Sequence, residues 1–256
     1  MTKSTEIQYA NKNAVFSTMR SGILLIIVFL SFVTSAQKEK PQNYRRFDER
    51  TLHFGFMLGI NTADFTTYPV LNAYELYGLK SLVSKSQPGG QVGIVSTLKL
   101  GTPVVRLRFL PTLSFQERVL TYTYVNPDPA ATKDIFNEER VNSTNLDFPL
   151  MFQFRTIRLN NFASYVLLGG QYTIDLQSQE KASQNFVDPF IKIKKHDLHG
   201  QVGGGVEFFA PYFKFGIELK FSHSFYNSFI QDQTPISKPI DALYNRVWWV
   251  SFIFEG

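Results

Sequence analysis

Residues 52–61 read LHFGFMLGIN, and their rhythm decides the fold. Leu52, Phe54, Phe56, Leu58 and Ile60 are large and apolar, while His53, Gly55, Met57, Gly59 and Asn61 stand between them. A period of two predicts a β-strand. Similar stretches recur to the C-terminus, several with charges on the face opposite the apolar one. A soluble sheet buries its apolar face, whereas a membrane barrel turns that face outward to lipid.

Seven further segments repeat the pattern. In 89–100 Val92, Ile94, Leu98 and Leu100 oppose Gln91, Gly93, Thr97 and Lys99. Val105, Leu107, Phe109, Leu113 and Phe115 oppose Arg106, Arg108, Thr112, Ser114 and Gln116. Leu146, Phe148, Leu150, Phe152 and Phe154 alternate with Asn145, Asp147, Pro149, Met151, Gln153 and Arg155. The fifth strand spans about 163–176, and the sixth sets Leu198, Val202, Val206 and Phe208 against His199, Gln201, Gly203, Gly205 and Glu207. The seventh sets Phe213, Phe215, Ile217, Leu219 and Phe221 against Lys214, Gly216, Glu218, Lys220 and Ser222. In the last, about 244–254, Val247, Trp248, Trp249 and Val250 are contiguous; the reading adopted turns Trp248, Val250, Phe252, Phe254 and Arg246 outward. Each segment approaches the roughly 9–11 residues with which a tilted strand crosses a bilayer.

The connections test this independently. Short turns are expected at 101–103, 156–162 and 210–212, and long polar stretches at 62–88, 125–143, 177–196 and 225–242. Alternating short and long connections are the mark of outer-membrane barrels. The expected fold is therefore all-β, an eight-stranded antiparallel transmembrane outer-membrane β-barrel with both termini in the periplasm and four loops outside. A lipocalin-like soluble barrel, apolar within, is the alternative. Loop asymmetry decides against it, as do Gly55, Gly59, Gly93, Gly203, Gly205 and Gly216, small residues on the non-apolar face where a narrow lumen needs them.

The chain has 256 residues, a formal charge of +5 and no cysteine, so disulfides, thiolate metal sites and cysteine nucleophiles are excluded. Arg20 precedes the uncharged run GILLIIVFLSFV, and Thr34 and Ala36 occupy the small positions of a cleavage site. Residues 1–36 are read as an N-terminal extension and signal peptide, with Met19 as a candidate true start; a membrane-anchoring helix is the alternative. Residues 37–50, QKEKPQNYRRFDER, form a polar periplasmic leader, disordered or touching periplasmic machinery, and 51–256 form the barrel.

Inside the barrel the pattern sets Lys99, Arg106, Arg155, Glu207 and Lys214 toward the periplasmic end and Arg108, Glu218 and Lys220 nearer mid-height. Such charges must be paired, since an isolated buried charge costs several kcal/mol. Glu207 and Glu218 are the expected partners. An anion-selective pore is one use of this lumen; a salt-bridged plug is the other, because an eight-stranded barrel has room for side chains rather than a channel. His196, Asp197 and His199 are a weak candidate for zinc or copper. His53 and His199 lie at opposite heights, and Ser222 and His223 point to opposite faces. No motif points to catalysis, and no cofactor is implied. Lys192, Lys194 and Lys195 form a cationic patch in an outside loop, suited to lipopolysaccharide head groups or a docking partner and not to nucleic acid. Tyr68, Tyr74, Tyr77, Tyr122 and Tyr124 are read as rim aromatics at the head-group level.

HFGFMLGIN after FDER, LDFPLMFQF at 146–154, YVLLGGQY at 165–172, GQVGGGVEFF at 200–209, IELKFSHSF at 217–225 and NRVWWVSFIF at 245–254 together resemble the PorT family. These are outer-membrane β-barrel proteins of Bacteroidetes linked to type IX secretion and, in gliding members, to motility. The resemblance spans the mature chain. It implies an accessory role in exporting proteins with C-terminal sorting signals, other secretion components as partners, and no catalytic residues.

Overall fold

A computed structural model describes residues 42–44, 46–128, 133–183 and 189–256. The signal peptide and the first residues of the leader lie outside them. A helical turn, α1 (Arg46–Glu49), leads into β1 (Leu52–Pro69). A short helix, α2 (Ala73–Tyr77), connects it to β2 (Leu79–Lys99). Then follow β3 (Val105–Phe109), β4 (Thr112–Tyr124), β5 (Ile135–Arg155) and β6 (Phe162–Asp175). The chain ends with β7 (Lys192–Ile193), β8 (His196–Phe209), β9 (Lys214–Ser224), β10 (Phe229–Ile230) and β11 (Ile240–Glu255).

Neighbouring strands pair antiparallel around a ring that closes because β1 bonds both β2 and β11. β3 and β4 are one wall strand: their pairing with β2 and β5 keeps a single register across the gap at Leu110 and Pro111. Pro111 has no N–H to donate, so the ladder lapses there without a change of face. Eight wall strands result.

Alternation sorts side chains as expected: Ile60, Ile94 and Val166 are each about 60% exposed, whereas Arg106, Glu207 and Lys214 are fully buried. Apolar outside and charged inside is the reverse of a soluble barrel. The contiguous apolar residues of β11 divide as read, with Trp248 outward and Trp249 buried, its Nε1 donating to Ser222 Oγ at 3.0 Å. Arg246 is outward and bonds Asp64 through two contacts of 2.7 and 2.8 Å.

The strands are longer than the expected segments. Residues 62–69, 79–88 and 135–143, read as loop, continue β1, β2 and β5 beyond the apolar belt. Here the inward face turns apolar: Phe65, Leu82, Leu120, Tyr122, Val141 and Leu243 point inward and form one cluster with Ile191, with Ile193 of β7 and Phe229 of β10, and with Ile240 at the start of β11. Above the belt the wall stands in water and packs as a soluble sheet does, apolar side in. β7 pairs with β10 across this cap. Tyr122 is thus not a rim aromatic: it is buried and its hydroxyl donates to Ile236 O at 3.1 Å.

Residues near the N-terminal end of the barrel also depart from expectation. The leader was expected to be disordered or to touch periplasmic machinery; of its described residues, Phe47 is instead completely buried at the turn end of the lumen, packed with Ala163 and Phe209. Arginines, His53 and a phenyl surface at that mouth give this short segment partners that its own composition does not reveal.

Candidate functional site

The lumen is filled in layers. At the turn end Lys214 bridges Glu207, at 2.7 Å, and Glu255. Arg155 reaches Glu207 Oε2 at 3.0 Å and Asp48 Oδ1 at 2.7 Å. Asp48 also receives Arg158 at 3.2 Å and Arg106 at 3.4 Å, while Lys99 Nζ donates to its backbone carbonyl at 2.9 Å. Burial alone would raise the Asp48 carboxyl, but the Arg155 and Arg158 guanidiniums hold it below the usual carboxylate range. Phe47 stacks on His53 with ring centroids 3.8 Å apart, under Arg106 and Lys214. Asn43 fixes the segment further, donating through its backbone N–H to Asn161 Oδ1 at 2.7 Å and through its side chain to Phe209 O at 3.2 Å. Asn43, Phe47 and Asp48 therefore latch the turn-end mouth.

One layer farther in, Arg108 bonds Glu218 and reaches Glu255 at 3.2 Å; Tyr165 Oη donates to Glu218 at 2.6 Å. Lys220 Nζ lies 3.5 Å from Glu218 Oε2. An apolar ring of Met57, Val95, Leu110, Met151, Tyr165, Leu167 and Ile253 surrounds these charges. Gly205 makes room for it, since a Cβ there would stand 2.6 Å from Tyr165 Oη and 2.5 Å from Ile217 O.

Toward the loop end the lining is polar. Asp147 accepts from Ser114, Gln171 and Thr173, each at 2.7 Å. Asp197 accepts from Ser224, Ser228 and Asn245 at 2.6–2.7 Å, with His199 Nε2 at 3.3 Å. The cavity among Arg118, Asp147, His199 and Asn245 has a volume of about 20 Å³. That is space for about one water. The apolar cap closes the layer above.

All eight residues of the expected lumen network, Lys99, Arg106, Arg108, Arg155, Glu207, Lys214, Glu218 and Lys220, line this interior or its mouth. Glu255 and Asp48 were not foreseen as their partners. Glu255 could have been found by continuing the inward set Trp249, Ser251 and Ile253 by one more step of two; Asp48 precedes every strand and gave no periodic signal. Asp197 and His199 point inward while His196 points outward, where it hydrogen-bonds Tyr172 Oη at 2.7 Å. Successive residues of a strand face opposite sides, so the three do not converge on a metal. Lys194 and Lys195 are exposed at the loop end and Lys192 is half-buried; Lys194 Nζ donates to Asn227 O at 2.7 Å.

The sequence matches the family described as outer membrane protein beta-barrel domain over residues 35–230. No curated protein matches. Among solved structures, OprG of Pseudomonas aeruginosa aligns over 80% of this chain and 92% of its own, with 14% identity and a TM-score of 0.42. Ail, the attachment invasion locus protein of Yersinia pestis, solved in complex with the heparin analogue sucrose octasulfate, aligns over 81% and 100%, with 10% identity and a TM-score of 0.37. Neisserial surface protein A aligns over 78% and 95%, with 10% identity and a TM-score of 0.35.

Proposed function

Since the chain belongs to the outer membrane protein beta-barrel domain family and is an outer-membrane β-barrel, we propose that it serves there as a non-enzymatic accessory of protein export, in the PorT manner. In this reading it supports the type IX export or assembly of cargo with C-terminal sorting signals, and gliding motility where that occurs. It acts as a scaffold beside the conduit. The observation that carries the scaffold role is the packed lumen: ion clusters interleaved with apolar side chains, then a polar layer, then an apolar cap fill it from the turn end to the loop end. A polypeptide, even extended, needs a continuous bore, and eight strands enclose only their own side chains.

Both termini lie in the periplasm and the long loops face outward in this orientation. Lipid covers the apolar belt, and Lys192, Lys194 and Lys195 meet anionic lipopolysaccharide or a component of the export machinery. The latch residues Asn43, Phe47 and Asp48 lie at the mouth that faces the periplasm in this orientation, where other secretion components are within reach.

Gene deletion tests the role. Loss of sorted cargo from the medium, restored by the gene in trans, is the expected result; unchanged secretion removes the export role and leaves a structural barrel. Steady conductance of the purified protein in planar bilayers would instead support the anion-pore reading and refute the packed lumen.

A further inference from the structure

The turn-end mouth carries more positive charge than its acids answer. Lys99 at the end of β2, Arg106 of β3, Arg155 at the end of β5, Arg158 in the turn after it and Lys214 at the start of β9 all meet there. Among the described residues these five cations bond three carboxylates, Asp48, Glu207 and Glu255, and Glu255 is shared with Arg108. Charge held out of water without a counter-charge costs several kcal/mol.

Glu207 and Glu255 belong to wall strands, whereas Asp48 reaches in from α1 with its side chain 29% exposed. It fills a cradle that the wall builds without it. Arg155 Nη1 stands 2.7 Å from Asp48 Oδ1, Arg158 Nη1 3.2 Å from Oδ2 and Arg106 Nη2 3.4 Å from Oδ1. The three arginine side chains are at most 5% exposed, and the Phe209 ring of β8 lies 3.8 Å from the Arg158 guanidinium and 5.0 Å from that of Arg155. Donors and aromatic backing are therefore barrel, and only the occupant is leader.

That occupant leaves the cradle short of acceptors. Arg106 Nε and Nη1 and Arg155 Nη2 are buried and donate to nothing among the described residues. Both oxygens of the Asp48 carboxylate are already engaged. Buried donors without acceptors call for a specific explanation, and here they converge with a charge excess on one place. A phosphate group brings more oxygens than a carboxylate and up to about two charges. Guanidinium forks pair with phosphate oxygens through parallel N–H bonds.

We propose that the cradle of Arg106, Arg155 and Arg158 is a binding site for a phosphate oxyanion, which Asp48 occupies in the latched barrel and which the oxyanion opens by taking its place. Lys99, whose Nζ donates to the Asp48 carbonyl at 2.9 Å, stands ready to add a fourth cation once the turn leaves. The same chemistry fits free inorganic phosphate and the phosphate of a lipid head group. The site lies at the opposite end of the barrel from Lys192, Lys194 and Lys195 and does not rest on the export role.

Isothermal titration of the full-length barrel with inorganic phosphate, in maltoside micelles that contain none, tests the cradle. Asp48→Asn removes the competing carboxylate and should tighten binding at least tenfold; Arg158→Gln added to that variant should weaken it at least tenfold. Resistance of each unboiled variant to SDS on gels verifies its barrel, and Lys99→Gln replaces Arg158→Gln should the latter fail to fold. The chain has no cysteine, so a spin label on Gln42→Cys, at an exposed leader position, reports the latch alone. A label freed by phosphate in micelles, and not by sodium chloride of equal ionic strength, assigns the free ion. A label freed in phosphatidylglycerol vesicles and not by phosphate assigns the head group. A label that neither source frees, chloride acting as well as phosphate, no tightening in Asp48→Asn, or binding that ignores the loss of the cradle cation would each overturn the proposal.

Discussion

Phe47→Ala should release the latch while the barrel stays closed. Phe47 is the anchor of residues 43–48, fully buried, stacked at 3.8 Å on His53 and flanked by Arg106, Lys214 and Phe209. Truncating a buried phenylalanine costs about 3–5 kcal/mol, and every ~1.4 kcal/mol is a tenfold change in an equilibrium. The open fraction of the latch should therefore rise by roughly two to three and a half orders of magnitude. The wall should remain, because the ladders of β1 with β2 and β11 do not use Phe47. The assay is amide hydrogen exchange of the refolded protein, comparing residues 43–49 with β6 and β9. Faster exchange confined to the latch and the β1 entry is expected. Unchanged exchange at 43–49 would refute the anchoring role, and loss of protection throughout the strands would refute the separation of latch from wall.

Glu255→Gln should destabilise the barrel by about 3 kcal/mol, the low end for breaking a buried pair, because Lys214 retains Glu207 and Arg108 retains Glu218; urea unfolding in lipid vesicles reads it, and an unchanged midpoint would contradict the basal cluster. Brominated lipids should quench Trp248 in a Trp249→Phe variant and leave Trp249 of a Trp248→Phe variant bright, since only Trp248 faces outward; equal quenching would break the facing assigned to β11. The latch should also loosen in acid. The Asp48 carboxyl is held below its ordinary value of 3.8, so its contribution is complete above that pH and disappears as pH falls through the lower folded value. Asp48→Asn should exchange faster than the native latch at neutral pH and lose that acid dependence; a native-like acid response in the variant would assign the effect to another group.

Much of the wall was legible because a strand writes its two faces into alternate residues. LHFGFMLGIN and LDFPLMFQF each sort into the two sides that the structure shows, as do the arginines of RLRF. The mixed run VWW could be resolved by carrying the alternation to Phe252 and Phe254. The strand extensions above the belt were not legible in the same way. In residues 79–88 the pattern is broken by a register shift between Ser86 and Gly90, so the inward residues change from even numbers before it, as at Leu82, to odd numbers after it, as at Gln91, and the rhythm reads as loop. Tyr122 reads as a rim aromatic from its residue type and its place at the outer end of the strand, although it shares the inward parity of Gln116 and Arg118; that the inward face turns apolar above the belt depends on where hydrocarbon ends, which no local pattern records.

By itself the amino-acid order determined the closed wall, its apolar outside and the charges within, since period two and alternating turn lengths are local properties. Tertiary structure decided which charges meet: Lys214 with Glu255, Asp48 with three arginines, Asp197 with Ser228 and Asn245. Those partners are far apart in the chain and are brought together only by strand register and closure. The physical reason is that facing depends on a residue's parity along its strand, whereas pairing depends on height and angle around a ring, which are defined only after β1 has found β11.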